Sequence, residues 1–216
     1  MIRSRTVTAF LGRSAILSAC ATAAPPPGTP TVDRWTQPPV GASWVSASKN
    51  SGSFGTETVR STIHFLGDRD FQGKKYLAYS VGDNDISYFD ASGGYVGRTV
   101  NGALRETNDP GFQSYAWPLH VGKSWVHSLR FTDHAAGRSF DNVQFSSKAE
   151  AYEDVTTPAG TFKTFRIVHD NNAVRITNWW SPDLRLVVKS KTERKSNFYA
   201  GPGTREAEVV LLDIKK

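Results

Sequence analysis

Apolar and polar residues alternate along most of the chain with a period of two, the spacing that sends successive side chains to opposite faces of a β-strand. Val59, Ile63 and Phe65 share one parity, with Ser61 between them. Trp125, His127, Leu129 and Phe131 share another, opposed by Ser124, Ser128, Arg130 and Thr132. Val143 and Phe145 alternate with Asn142, Gln144 and Ser146, Ile176 and Trp180 with Arg175 and Thr177, and Leu184, Leu186 and Val188 with Arg185 and Lys189. The run Val209-Val210-Leu211-Leu212 reads as a strand covered on both faces. Between the runs lie Gly82-Asp83-Asn84-Asp85, Ser92-Gly93-Gly94, Asp109-Pro110-Gly111, Pro158-Ala159-Gly160, Asp170-Asn171-Asn172 and Gly201-Pro202-Gly203. These residues tolerate positive φ or preset a turn. No helical period emerges from Gly41 onward, so a doubly wound nucleotide fold is disfavoured. About ten strands with short connections predict an all-β fold: an antiparallel meander forming a curved sheet, half-barrel or sandwich.

The first residues, MIRSRTVTAFLGRSAILSAC, place basic residues before apolar and small ones, the layout of a secretory signal. The apolar stretch is too short to span a bilayer, which takes about 20 residues. Leu17-Ser18-Ala19-Cys20 resembles the lipobox of bacterial lipoproteins and uses the only cysteine in the chain. The resemblance implies cleavage before Cys20, lipidation of Cys20, and a membrane partner reached through that anchor. Ala21 resembles the sorting pattern for the outer membrane, which implies a lipoprotein facing the periplasm. Arg13 departs from the pattern by interrupting the apolar region. The alternative is cleavage after Ala21-Thr22-Ala23, which yields a soluble secreted or periplasmic protein. Pro25-Pro26-Pro27, Pro30 and Pro38-Pro39 then favour an extended, semi-rigid tether, with Trp35 placed to dock onto the domain. The chain is thus read as a signal peptide (1–19), a Pro-rich tether (20–40) and a single β-domain (41–216).

Trp117-Pro118-Leu119-His120-Val121-Gly122-Lys123-Ser124-Trp125, Thr157-Pro158-Ala159-Gly160-Thr161-Phe162 and Trp179-Trp180-Ser181-Pro182 together resemble uncharacterised bacterial secreted β-proteins and lipoproteins, including domains of unknown function. That resemblance covers about residues 110 to 195 and implies a class of fold, with no activity to carry over. A weaker internal echo relates Tyr76-Leu77-Ala78-Tyr79 and Tyr88-Phe89-Asp90 to Phe165-Arg166-Ile167-Val168 and Trp179-Trp180-Ser181, two hairpin-like units.

The net charge is +6, and Arg3, Arg5 and Arg13 contribute half of it. Without them 23 basic residues face 20 acidic ones, too small a surplus to argue for nucleic acid. Arg194-Lys195 and Lys215-Lys216 read as solvated surface pairs. A single cysteine excludes an internal disulfide framework and a polythiolate zinc site. His120, His127 and His134 are spaced by seven, which sends neighbours to opposite strand faces, so no metal site is expected. His127 is expected to be partly buried and hydrogen-bonded. Asp68-Arg69-Asp70-Phe71-Gln72-Gly73 copies the start of a calcium loop, but Tyr79 stands where the closing Glu belongs, so it reads as an Asp-rich turn. The nucleophile-elbow, zincin, phosphate-loop and dinucleotide motifs are absent. Glu150, Glu153 and Asp154 read mainly as surface strand residues.

The aromatic residues remain. Trp179 and Trp180 are adjacent, so one can be core while the other lies on the second face. With Trp117 they are the candidate ligand-binding residues of a curved sheet. The expectation is a non-enzymatic, cofactor-free binding or structural module of the cell envelope, taking an apolar ligand or an envelope protein as partner. A glycan-binding or glycan-hydrolysing envelope protein is the alternative.

Overall fold

The structure, a computed structural model, describes residues 25–213. Twelve strands follow in order: β1 (Ser43–Gly52), β2 (Thr58–Phe71), β3 (Lys74–Val81), β4 (Asp85–Phe89), β5 (Tyr95–Val100), β6 (Ala103–Phe112), β7 (Ser124–Asp133), β8 (Arg138–Thr157), β9 (Gly160–Asp170), β10 (Val174–Ser181), β11 (Leu186–Arg194) and β12 (Gly203–Asp213). Each pairs antiparallel with its sequence neighbours. The first strand pairs with the last, from Ser43↔Asp213 to Gly52↔Gly203, and this closes the sheet into an up-and-down barrel. The all-β antiparallel meander is therefore as expected, and its curvature runs to full closure.

The strand count exceeds the expected ten because two hairpins turn on only two residues each. Gln72-Gly73 has φ of 49° and 77°, and Asn101-Gly102 has φ of 51° and 76°. Positive φ at both positions matches the right-handed strand twist, which is why so short a loop suffices. Asp109-Pro110-Gly111, expected as a turn, lies inside β6 instead. The ladder with β5 skips from Thr107 to Phe112, and the one with β7 stops at Asp109, so Pro110 withholds no paired N–H there.

The two ends of the barrel differ. At one end the β6–β7 connection and the chain before β1 cross the opening. Val32 forms an isolated bridge with Leu119, and Arg185 donates from Nη1 to the Gln37 carbonyl at 3.1 Å. Trp35 is 8% exposed and packs on Phe89 and Tyr115. Beneath this cap Trp44, Phe65, Phe165, Ile167, Trp180, Leu186, Val188 and Val209 fill the barrel. Residues 32–37 of the Pro-rich segment are thus part of the packing. Gly93 lets the cap close: a Cβ there would stand 2.9 Å from both Trp35 and Tyr115. A smaller cluster, Phe71, Ala78 and Tyr88, lies on the outer face of β2–β4, with Phe71 and Tyr88 stacked at 4.1 Å.

The remaining outer wall is polar, with Arg130–Asp141, Lys163–Asp154, Arg175–Asp170 and Lys191–Glu193 pairs spread over it. A barrel that crosses a bilayer instead needs a continuous apolar outer band. Leu211 is 58% exposed, which corrects the expectation that residues 209–212 are covered on both faces. A bulge opposite Val45/Ser46 shifts the register, so Val209 and Leu212 pack inward while Leu211 points out. Val59, in phase with the buried Phe65, is 43% exposed because β2 begins at the open end.

Replacing Trp35 with Ala is expected to lower stability by about 3–5 kcal/mol, measured as a fall in the denaturant midpoint at constant m. An unchanged midpoint would show that the segment before β1 is not part of the cooperative unit.

Candidate functional site

Opposite the cap, the β1–β2, β9–β10 and β11–β12 connections ring an opening into a cavity of about 960 Å³. This is the size range of small-molecule sites. A smaller surface hollow of about 510 Å³ lies between Arg34–Gln37 and β3. The large cavity has two unlike walls. On β6–β8 and β10 it is apolar: Phe112, Leu129, Phe131, Phe140, Phe145 and Ile176. On β5, β11 and β12 it is basic, with Arg98, Arg194 and Arg205.

Strand phase explains these positions. On β11, Arg194 is in step with Leu186 and Val188, which fill the core, and on β12, Arg205 is in step with Val209. The expected surface pair Arg194-Lys195 is therefore split. Lys195 turns to Asp170, 2.6 Å away, while Arg194 lines the lumen.

The Arg194 guanidinium lies 3.7 Å from the Phe54 ring centroid and 4.6 Å from that of Phe198, and it donates to the Ser53 carbonyl at 3.1 Å and Ser53 Oγ at 3.2 Å. Arg205 also lies over Phe54, at 4.6 Å, and donates from Nε to Asn50 Oδ1 at 2.9 Å. Gly52 and Gly203 permit the close crossing of strands behind these loops, since a Cβ on Gly203 would stand 2.6 Å from the Ser51 carbonyl oxygen. Among the described residues neither Arg194 nor Arg205 has a carboxylate within ion-pair distance. Arg98, by contrast, faces Asp85 at 3.6 Å and Glu106 at 3.4 Å. Glu106 also accepts from the Tyr95 hydroxyl at 2.7 Å. Burial lowers the proton affinity of Arg194 and Arg205, and positive neighbours lower it further, Arg205 beside Arg194 and Arg98 beside Arg205, while Tyr199 raises it at Arg194 and Glu106 raises it at both. Both nonetheless stay charged near neutral pH.

Deeper in, the apolar wall holds two imidazoles. His169 is fully buried, with Nδ1 2.9 Å from Ser147 Oγ, and its ring meets Phe112 edge-on at 5.0 Å. His127 lies between Phe112 at 4.9 Å and Phe145 at 5.5 Å. Neither His127 ring nitrogen has a hydrogen-bond partner among the described residues, which corrects the expectation of a hydrogen-bonded His127. Its inward phase places it among phenyl rings that offer no acceptor. Burial pushes His127 down to about 4 and His169 down to about 3.

No family model matches the chain, and no curated protein matches its sequence. Among solved structures it resembles a candidate lipoprotein from Parabacteroides distasonis at 14% identity and a TM-score of 0.38, over 84% of this chain and 97% of that one. It also resembles a candidate exported protein with a YmcC-like fold from Bacteroides fragilis, at 9% identity and a TM-score of 0.38, over 84% and 99% of the two chains. The hypothetical lipoprotein YmcC from Escherichia coli matches at 14% identity and a TM-score of 0.40, over 84% and 93%.

The tryptophans singled out from the sequence separate. Trp117 and Trp180 meet at 5.9 Å beneath the cap, where Trp180 has no exposed surface and also packs on Tyr115 and Phe165. Trp179 lies on the outer face, donating to Glu153 Oε1 at 2.9 Å with Lys189 5.7 Å from its ring centroid. Arg166 faces both Glu150 at 3.3 Å and Glu153 at 3.4 Å. His120 is buried at the cap, 3.0 Å from the Val121 carbonyl, and His134 Nε2 is 3.0 Å from Thr107 Oγ1. Asp68 and Asp70 lie on β2, before the Gln72-Gly73 turn. Cys20 lies outside the described residues.

The two depressed imidazoles predict acid sensitivity. Above the unfolded value of 6.5 both states are neutral and this contribution is complete. Below it the unfolded chain binds protons that the folded chain refuses, so stability falls from pH 6.5 towards about 3. The Tm is expected to decline between pH 7 and 4, less steeply in His169→Phe. An identical slope in that variant would show that the buried ring does not titrate on unfolding.

Proposed function

We propose that the chain is a non-enzymatic binding module of the bacterial cell envelope, anchored through Cys20, whose barrel holds a small molecule with an apolar body. One observation carries the reading: a barrel closed by packed side chains at one end and hollow at the other, with an aromatic wall. Phe112, Phe131, Phe140 and Phe145 offer apolar surface to a ligand without first having to leave a packed core. In this reading Trp117 and Trp180 support the lumen from beneath, and their role in binding is indirect.

The anchor fits the barrel's polarity. Residues 32–37 lie at the capped end, so a lipid on Cys20 would turn that end to the membrane and the opening to the periplasm. Several acyl chains on one cysteine, at about 0.8 kcal/mol per buried methylene, would hold the domain there without a spanning segment. The outer membrane is the destination implied by Ala21.

The glycan-binding alternative would use Trp179 with Glu150 and Glu153 on the outer wall. There Lys189 lies beside the indole and Arg166 engages both carboxylates, so the lumen is the better-supported site.

The neutral dye N-phenyl-1-naphthylamine tests the lumen. It is expected to bind the purified protein one to one with enhanced fluorescence, and Ile176→Trp, which puts an indole against the apolar wall, is expected to weaken the binding while the far-ultraviolet spectrum stays that of a β-barrel. No enhancement with the native protein would overturn the reading. Intact mass of the protein from its own membrane tests the anchor separately: a species lacking Cys20 would overturn it.

A further inference from the structure

We infer that the lumen is shaped for an amphiphile carrying an anionic group, with the anion held by Arg194 and Arg205 at the opening and the apolar body lying against Phe112, Phe145 and Ile176. The inference rests on the lumen reading and adds the chemical class of the ligand.

Three observations converge on it. First, Arg194 and Arg205 differ from Arg98 in their ion pairing. Arg98 has Asp85 and Glu106 within 3.6 Å, whereas Arg194 and Arg205 have no carboxylate partner among the described residues. Glu106 acts on both only from beyond ion-pair distance, so a bound anion would be a nearer partner than either has in the free lumen. Second, the guanidiniums have donors left over. Arg194 donates only from Nη1, to Ser53, and Arg205 only from Nε, to Asn50. Each has several further N–H groups with no partner among the described residues, in the fork geometry that suits a carboxylate, sulfonate or phosphate. Third, the guanidiniums are preorganised. Phe54 and Phe198 stack on Arg194, and Phe54 also on Arg205, so the planes are oriented before any ligand arrives. The opposite wall carries Phe112, Leu129, Phe145 and Ile176, which give an apolar body a surface to lie against.

A matched pair of dyes tests this. 1-Anilinonaphthalene-8-sulfonate has nearly the shape of N-phenyl-1-naphthylamine plus one sulfonate. At low salt the sulfonate dye is expected to bind at least about tenfold more tightly, as one charge-assisted contact allows. Arg205→Gln is expected to weaken the sulfonate dye several-fold more than it weakens the neutral dye. Because Arg194 also ties two loops together, Arg205 is the deciding variant, with its Tm confirming the fold. Lys189→Gln removes the same charge from the outer wall and is expected to change neither affinity. Equal binding of the two dyes by the native protein, or equal losses in Arg205→Gln and Lys189→Gln, would overturn the anion site while leaving the lumen reading intact. Failure of both dyes would overturn the two together. Inorganic phosphate supplies charge without an apolar body and is expected not to displace the sulfonate dye at micromolar concentration; displacement there would replace the amphiphile with a bare anion.

Discussion

Pairing of β1 with β12 is the constraint on which the rest of the molecule depends. It joins residues near the two ends of the chain into one ladder and removes the exposed sheet edges that an open meander would present. Closure also sets the width. A ring of eight strands is about the size that its own side chains can fill. Twelve strands leave more interior than inward-facing residues can occupy. The excess must be filled by other chain segments or stay hollow, and this barrel does one at each end.

At the capped end the filling comes from Trp35, Tyr115 and Leu119, all outside the named strands. Tyr115 packs on Trp180, and Trp35 on Tyr115 and Phe89, so the segment before β1 and the β6–β7 connection act as part of the core. At the open end the β11–β12 connection reaches across to β7, where Tyr199 donates to Asp133 at 2.7 Å and packs on Phe131 and Phe140, but packed side chains do not fill the opening. Instead arginines are held in place by stacking and by carbonyl and amide acceptors, as Arg194 is by Phe54, Phe198 and Ser53. A guanidinium tolerates this because it is weakly hydrated and planar, whereas an ammonium in the same place would lose more on desolvation. The two ends thus follow from one geometric surplus, resolved once by packing and once by charge.

Much of the site could be read from strand phase, and some of it was. The shared face of Trp125, His127, Leu129 and Phe131 is the lumen wall and the packing below it, as alternation predicts. Arg194 carried the same signal, being in step with Leu186 and Val188, but its neighbour Lys195 made the two look like a solvated pair. Phase gives a face and says nothing of what lies across from it. The absence of an acceptor near His127 and the convergence of β5, β11 and β12 on one patch therefore stayed hidden. Trp179 and Trp180 show the strength of the rule: adjacent residues do take opposite faces, even with a bulge between them.

What the sequence determined by itself is the local part: strands from a period of two, turns from Gly, Asn, Asp and Pro, and inward and outward faces. Tertiary structure alone decided that the meander closes, that Pro110 stays within a strand, and that Leu211 faces solvent. It also decided that three arginines from separate strands share one cavity. These depend on register and bulges, which are settled by contacts between residues far apart in the chain, and a pattern read along one strand does not contain its partner.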